Sequence, residues 1–130
     1  MGIVVFSEGR EVWSPSLKVG ALFMAQISAL EKAFDVKSGI ISPLADELEI
    51  DASTFVAFVQ KVMDSLTQTN NRSLIVLSAG CLQVAIALIF QITGIWPAIP
   101  KYLDSFLGDA HKVMLPLRER DHDLPPRTTQ

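Results

Sequence analysis

Residues 73–93 read SLIVLSAGCLQVAIALIFQIT, and how this stretch is read decides the fold. No charged side chain falls between Arg72 and Lys101. A helix of about twenty residues is about 30 Å long, which suits the middle of a small domain or the core of a bilayer. Its hydropathy would satisfy a sliding-window test for a membrane span. Three features favour a buried helix instead. Ser78, Gln83 and Gln91 need hydrogen-bond partners that a lone helix in lipid lacks. Lys61 and Arg72 before the stretch are balanced by Lys101 and Lys112 after it, so the flanks carry no orientation signal. The two helices that precede it each have one apolar stripe, and a helix apolar all round is what the middle of such a bundle requires.

Upstream, Ser16 is placed to cap a helix from Leu17 to about Asp35. Val19, Phe23, Ile27, Leu30 and Phe34 form its expected inner stripe, and Lys37-Ser38-Gly39 its glycine terminator. Asp51 caps a second helix, Ala52 to Thr67, with Phe55, Val59, Val62 and Leu66 inside. At the N-terminus, Ile3 to Phe6 and Glu11 to Trp13 flank Glu8-Gly9 and predict a short hairpin. Trp13 is expected to plug the end of the core. Ile40 to Leu44 reads as connector. The alternation Glu47-Leu48-Glu49-Ile50 is compatible with a third short strand.

Downstream, Gly94, Pro97 and Pro100 end the long helix, and Lys101 to about Ala110 is expected to form a short fourth one. The predicted fold class is therefore α+β and mainly helical: a small N-terminal β-hairpin or sheet packed on a bundle of three long helices plus a short C-terminal helix. Residues 1–117 are read as a single globular domain and 118–130, charged and then rich in proline, as a mobile tail.

The chain has 130 residues, 49% of them apolar, with a net charge of −3 and a mean hydropathy of +0.34. That is enough apolar material for a core, too much for wholesale disorder, and too little length for a second enzymatic domain. The acidic balance argues against a nucleic-acid-binding surface. The lone Cys81 excludes an intramolecular disulfide and sits in apolar surroundings, where a cysteine behaves as a small hydrophobe. Glu8, Arg10 and Glu11 interrupt the first apolar run, so no secretory leader is expected and a reducing cytoplasm fits best.

Chemistry-bearing motifs are sparse. There is no glycine-rich phosphate loop, nucleophile elbow or metalloprotease helix motif, and we expect no catalytic residue, cofactor or metal ligand. His111 follows Asp109 by two positions, and His122 stands between Asp121 and Asp123 in the predicted tail, where solvated charge accounts for it. Asp46, Glu47, Glu49 and Asp51 are denser. They read as a solvated connector ending in a helix cap, or as an acidic recognition edge for a cationic partner. A cation loop would interleave a turn glycine, and none lies inside the cluster. Asp46, Glu47 and Glu49 are the candidate partner-binding residues, with Trp96, between Gly94 and Pro97, as a candidate interface side chain.

Trp13-Ser14-Pro15-Ser16, Ser38-Gly39-Ile40, Asp46-Glu47 with Ile50-Asp51, and Phe55 with Ala57-Phe58-Val59 together resemble a family of small actinobacterial proteins of unknown function, over about residues 10–93. The resemblance implies a soluble single domain and supplies no activity. The leading functional reading is a non-enzymatic protein-binding module, such as an immunity or antitoxin-like inhibitor of a basic toxin or effector. The alternative is a membrane-associated or self-assembling structural protein using the apolar helix 74–92. A homodimer through that helix or the Trp96 corner is also expected, because the apolar excess is large for so short a chain.

Overall fold

The computed structural model describes residues 2–117; the predicted tail and its His122 lie outside the described residues. Val4–Ser7 (β1) and Arg10–Trp13 (β2) form the expected hairpin. Its two turn residues, Glu8 and Gly9, both take positive φ, 54° and 77°, as a hairpin turn matched to strand twist requires. Helix α1, Leu17–Phe34, follows with Ser16 accepting from the Val19 amide.

Ile40–Leu44 (β3) and Glu47–Ile50 (β4) form a second hairpin. The sheet order is β2-β1-β4-β3, with β1 and β4 parallel at the centre. Reading Ile40 to Leu44 as connector was thus incorrect. Ser42-Pro43 hides the strand in the sequence, because the register shifts between Ile41 and Leu44. Proline has no amide hydrogen to offer a ladder and is tolerated on an edge strand beside such an irregularity.

Helix α2, Ala52–Thr67, matches the predicted span, and its four expected inner residues are buried, joined by Phe58 and Met63. Helix α3 is Arg72–Thr93, capped by Asn71 at its start and by Gly94 in the left-handed conformation at its end. A short 3-10 turn at Lys101–Leu103, helix α4 at Asp104–Leu107 and a 3-10 segment at Gly108–Lys112 complete the chain. One core joins the inner face of the sheet to all the helices. Trp13 closes one end of it, edge-on to Phe23 at 5.3 Å between ring centres.

Two details of α1 differ from the periodic reading. Val19 is 48% exposed, and Gly20 faces inward in its place. A Cβ on Gly20 would lie 2.6 Å from Cδ1 of Ile3, so a side chain there would displace that of Ile3. The helix also ends earlier than the predicted terminator. Asp35 takes the left-handed conformation at the C-cap, and Gly39 follows four residues later at φ +80°, pressed against Thr54.

Helix α3 is buried unevenly. From Cys81 to Ile89 most side chains lie inside, whereas Val76 is 55% and Leu77 82% exposed. It is the one helix among the described residues long and apolar enough to cross a membrane, and half of its most apolar window is buried inside the fold. The polar residues along it bond to the segment that follows: Gln83 Nε2 donates to the Phe106 carbonyl at 2.8 Å and Gln91 Nε2 to that of Leu115 at 3.1 Å. Arg10 of β2 donates to the Ile92 carbonyl at 2.9 Å, placing a cation at the helix C-terminus, where the dipole favours one. β2, α2 and the segment 101–115 pack against α3. The segment runs along the helix, from Phe106 under Arg72 at its start to Leu115 beside Gln91 near its end, while Val76 and Leu77 reach solvent.

Cys81 is buried, and desolvation pushes its thiol up to about 12 from an ordinary 9.0. A folded-state value above the unfolded one stabilises fully below 9.0 and loses that stabilisation as pH rises towards 12. Denaturant titrations of wild type and Cys81→Ala should therefore show the wild-type advantage narrowing as pH rises above 9.0 towards 12. A second expectation concerns Ala85, which is fully buried on α3. Ala85→Asp places an unpaired carboxylate there at a cost of several kcal/mol, comparable with a whole domain's stability of about 5–15 kcal/mol. Circular dichroism of the purified variant should show loss of the cooperative unfolding transition.

Candidate functional site

The alternation of β4 sends Leu48 and Ile50 into the core and Glu47 and Glu49 to the opposite face of the sheet. Register then fixes their neighbours. Glu47 stands between Val4 of β1 and Leu44 of β3, and Glu49 between Phe6 of β1 and Ile41 of β3. Two rows thus cross the outer face, each with a carboxylate between apolar side chains. Asp46 lies in the two-residue turn beside them, and its carbonyl accepts the Val4 amide at 3.0 Å.

Accessibility is graded across this face. On β3, Ile41 is 61% and Leu44 59% exposed, and Glu49 is exposed on β4. Towards β1 and β2 the face closes, with Val4 at 7% and Glu11 at 6%. Among the described residues, the ion pair is Lys112–Asp109 at 3.4 Å, and no cation pairs with Asp46, Glu47 or Glu49. The negative charge on the hairpin is therefore not neutralised by neighbours in the described fold.

Asp51 belongs to the scaffold. Its carboxylate accepts from the Thr54 amide at 3.1 Å and from the Thr54 and Ser53 hydroxyls, which hold it below the ordinary carboxylate value. It is the N-cap of α2, as its position in the sequence implies.

Trp96 does not join the carboxylates. Its ring stacks on Phe90 at 4.2 Å and 5°, and it borders a groove of about 190 Å³ formed with Gln91, His111, Met114 and Leu115. The four predicted partner-binding residues thus fall on two surfaces, because Trp96 follows the C-terminus of α3 while the carboxylates belong to the second hairpin. His111 Nδ1 lies 2.7 Å from the Gly108 carbonyl, a local contact within its own turn.

Sequence reasoning missed a cleft of about 780 Å³ where the end of α1 meets β3 and the start of α2. Its polar groups hold the fold together. The Glu31 carboxylate accepts from the Ser38 amide at 2.8 Å and the Ser38 hydroxyl at 2.7 Å, and the Thr54 hydroxyl is taken by Asp51. Ser38 is fully buried. Lys32, Asp35 and Lys37 line the rim in exposed positions. This arrangement clamps a loop to α1 and contains no nucleophile with an adjacent base. Among the described residues no group of three His, Cys, Asp or Glu side chains is placed to hold a metal ion.

No curated protein and no solved structure matches the chain. The match to a protein family reaches further than the residues that suggested one, running through the C-terminal helical segment as well as the sheet and the three long helices. With residues 1–124 matched, the chain belongs to DUF6086, a family of unknown function.

Proposed function

We propose that this protein is a non-enzymatic binding module that docks a basic partner protein on the outer face of β3 and β4, in the manner of an immunity or antitoxin-like inhibitor. The observation that carries the reading is the pair of cross-strand rows in which Glu47 and Glu49 stand among Leu44, Ile41, Val4 and Phe6, with no cation of the described chain beside them. Folding alone gives no reason for that composition, since like charges close together repel. A partner offering Lys or Arg among apolar side chains supplies both halves of the complement. Charge then steers the encounter and sets specificity, while Ile41 and Leu44 supply contact area.

The geometry also selects the mode of docking. β3 is an outer strand, but Pro43 and the irregularity beside it interrupt the row of amides that an added strand would need. The face of the hairpin is the recognition surface in this reading, and its edge is not. Such a module needs no cofactor, metal or catalytic group.

A test begins with capture of the partner from host extract on the immobilised chain, followed by kinetics with the purified pair. The triple variant Asp46→Asn/Glu47→Gln/Glu49→Gln should fold like the wild type and associate at least about tenfold more slowly at low salt. The difference should shrink as added salt brings the Debye length to about 8 Å. An unchanged association rate for the triple variant at low salt would remove the hairpin from the interface.

A further inference from the structure

The first half of α3 and the outer side of α1 form a surface that the binding reading does not use. On α1 no ionisable residue stands between Lys18 and Glu31, and Val19, Leu22, Ala25, Gln26 and Ala29 are exposed there. Leu22 is 58% exposed. On α3, Ser73, Val76, Leu77 and Gly80 face solvent. The two helices meet along a groove of about 210 Å³ whose walls include Ala29, Ala33 and Phe34 of α1 and Leu74, Ser78 and Cys81 of α3.

Leu77 stands on the rim of that groove and is 82% exposed. Its neighbours one turn away on α3 are small: Ser73 before it and Gly80 after it, the latter with open space where a side chain would be. An apolar knob thus stands directly beside a mostly apolar hole whose walls include the small side chains of Ala29, Ala33, Ser78 and Cys81. We propose that this face is the interface of a two-fold symmetric homodimer, in which each copy's Leu77 enters the groove between α1 and α3 of the other.

Three considerations select a second copy as the occupant. An isologous interface requires a patch that is complementary to itself, and adjacent knob and hole satisfy that condition under a two-fold rotation. Arg72 borders the patch at the start of α3 and the rest of it carries no charge, so it suits a surface of the same character, and each further copy presents one. By contrast, the β3–β4 face of the same molecule carries carboxylates that form no ion pair among the described residues, so its charge does not suit it to this patch. Finally, the size is adequate. Side-by-side helices packed about 8–10 Å apart, with α1 about 27 Å long, offer on the order of 500 Å² per copy, or about 1,000 Å² for the pair. That is the lower end for a specific interface. The Ala25-Ala29-Ala33 ridge lets the helices of the two copies approach closely.

Sedimentation velocity on the full chain from about 1 to 300 µM tests the proposal. The wild type should shift with concentration from 14.3 kDa towards twice that mass. Leu77→Glu should remain monomeric throughout with an unchanged circular dichroism spectrum and thermal midpoint, because the side chain is exposed in the monomer. Ala29→Glu, which fills the hole, should do the same. Leu44→Glu, on the sheet face, should leave association as in the wild type. A wild type that stays monomeric over the whole range overturns the proposal, as does association that survives both Leu77→Glu and Ala29→Glu or is lost with Leu44→Glu. Flotation with phosphatidylcholine vesicles provides the other arm. A wild type that is monomeric in buffer, floats with the vesicles and loses flotation with Leu77→Glu would assign the face to a lipid surface and overturn the dimer.

Discussion

Everything in this molecule is arranged around a helix segment that has to be kept from water and cannot bond to it. The second half of α3, from Cys81 to Ile89, presents apolar side chains on most sides. A single neighbouring helix would cover one stripe of it. Covering the rest takes α2, strand β2 and the irregular segment after Pro100, all of which pack against α3. The N-terminal sheet and the C-terminal turns, distant in sequence, belong to one core because they close on the same helix.

The polar groups along α3 show how that enclosure is kept in register. Gln83 and Gln91, two turns apart, donate to carbonyls of the segment that crosses them, at Phe106 and Leu115. Arg10 reaches the last turn from the sheet. Apolar contact is non-directional and would tolerate sliding; these bonds do not. The Arg72 guanidinium, 5.0 Å above the Phe106 ring, and the Tyr102 hydroxyl, which donates to the Thr69 carbonyl at 2.9 Å, fasten the same segment at the other end of the helix.

This construction leaves two surfaces of opposite character. The outer face of the second hairpin carries carboxylates, and the α1–α3 face is mostly apolar with Arg72 at its border. They lie on different layers of the fold, one on the sheet and the other on the helices, so a basic partner and a second copy of the chain would be held by separate elements. The cleft between α1, β3 and α2 is a third concavity, but its buried hydrogen bonds serve the loop that joins α1 to β3. Shape alone would have suggested a site there; the allocation of donors and acceptors removes it.

Local chemistry determined much of what was legible in the sequence. Ser16 and Asp51 each accept an amide at a helix start, so the starts of α1 and α2 follow from side chains that satisfy otherwise orphaned donors; Asn71 does the same for α3, inside what reads in the sequence as a polar turn. Glu8-Gly9 announced the first hairpin, and the alternation from Glu47 to Ile50 was compatible with the strand β4. Tertiary structure decided the rest. β3 escaped notice because Ser42-Pro43 breaks the two-residue period on which strand recognition depends. The parallel pairing of β1 with β4, which puts Val4 and Phe6 beside the carboxylates, joins segments more than forty residues apart and leaves no local trace. Val19 satisfied the helical period yet lies exposed, because Gly20 lets α1 press against Ile3 and takes the inward position of the first turn. Periodicity specifies which side chains share a face. Which face meets the core depends on how closely two backbones can approach, and that is a property of the assembled fold.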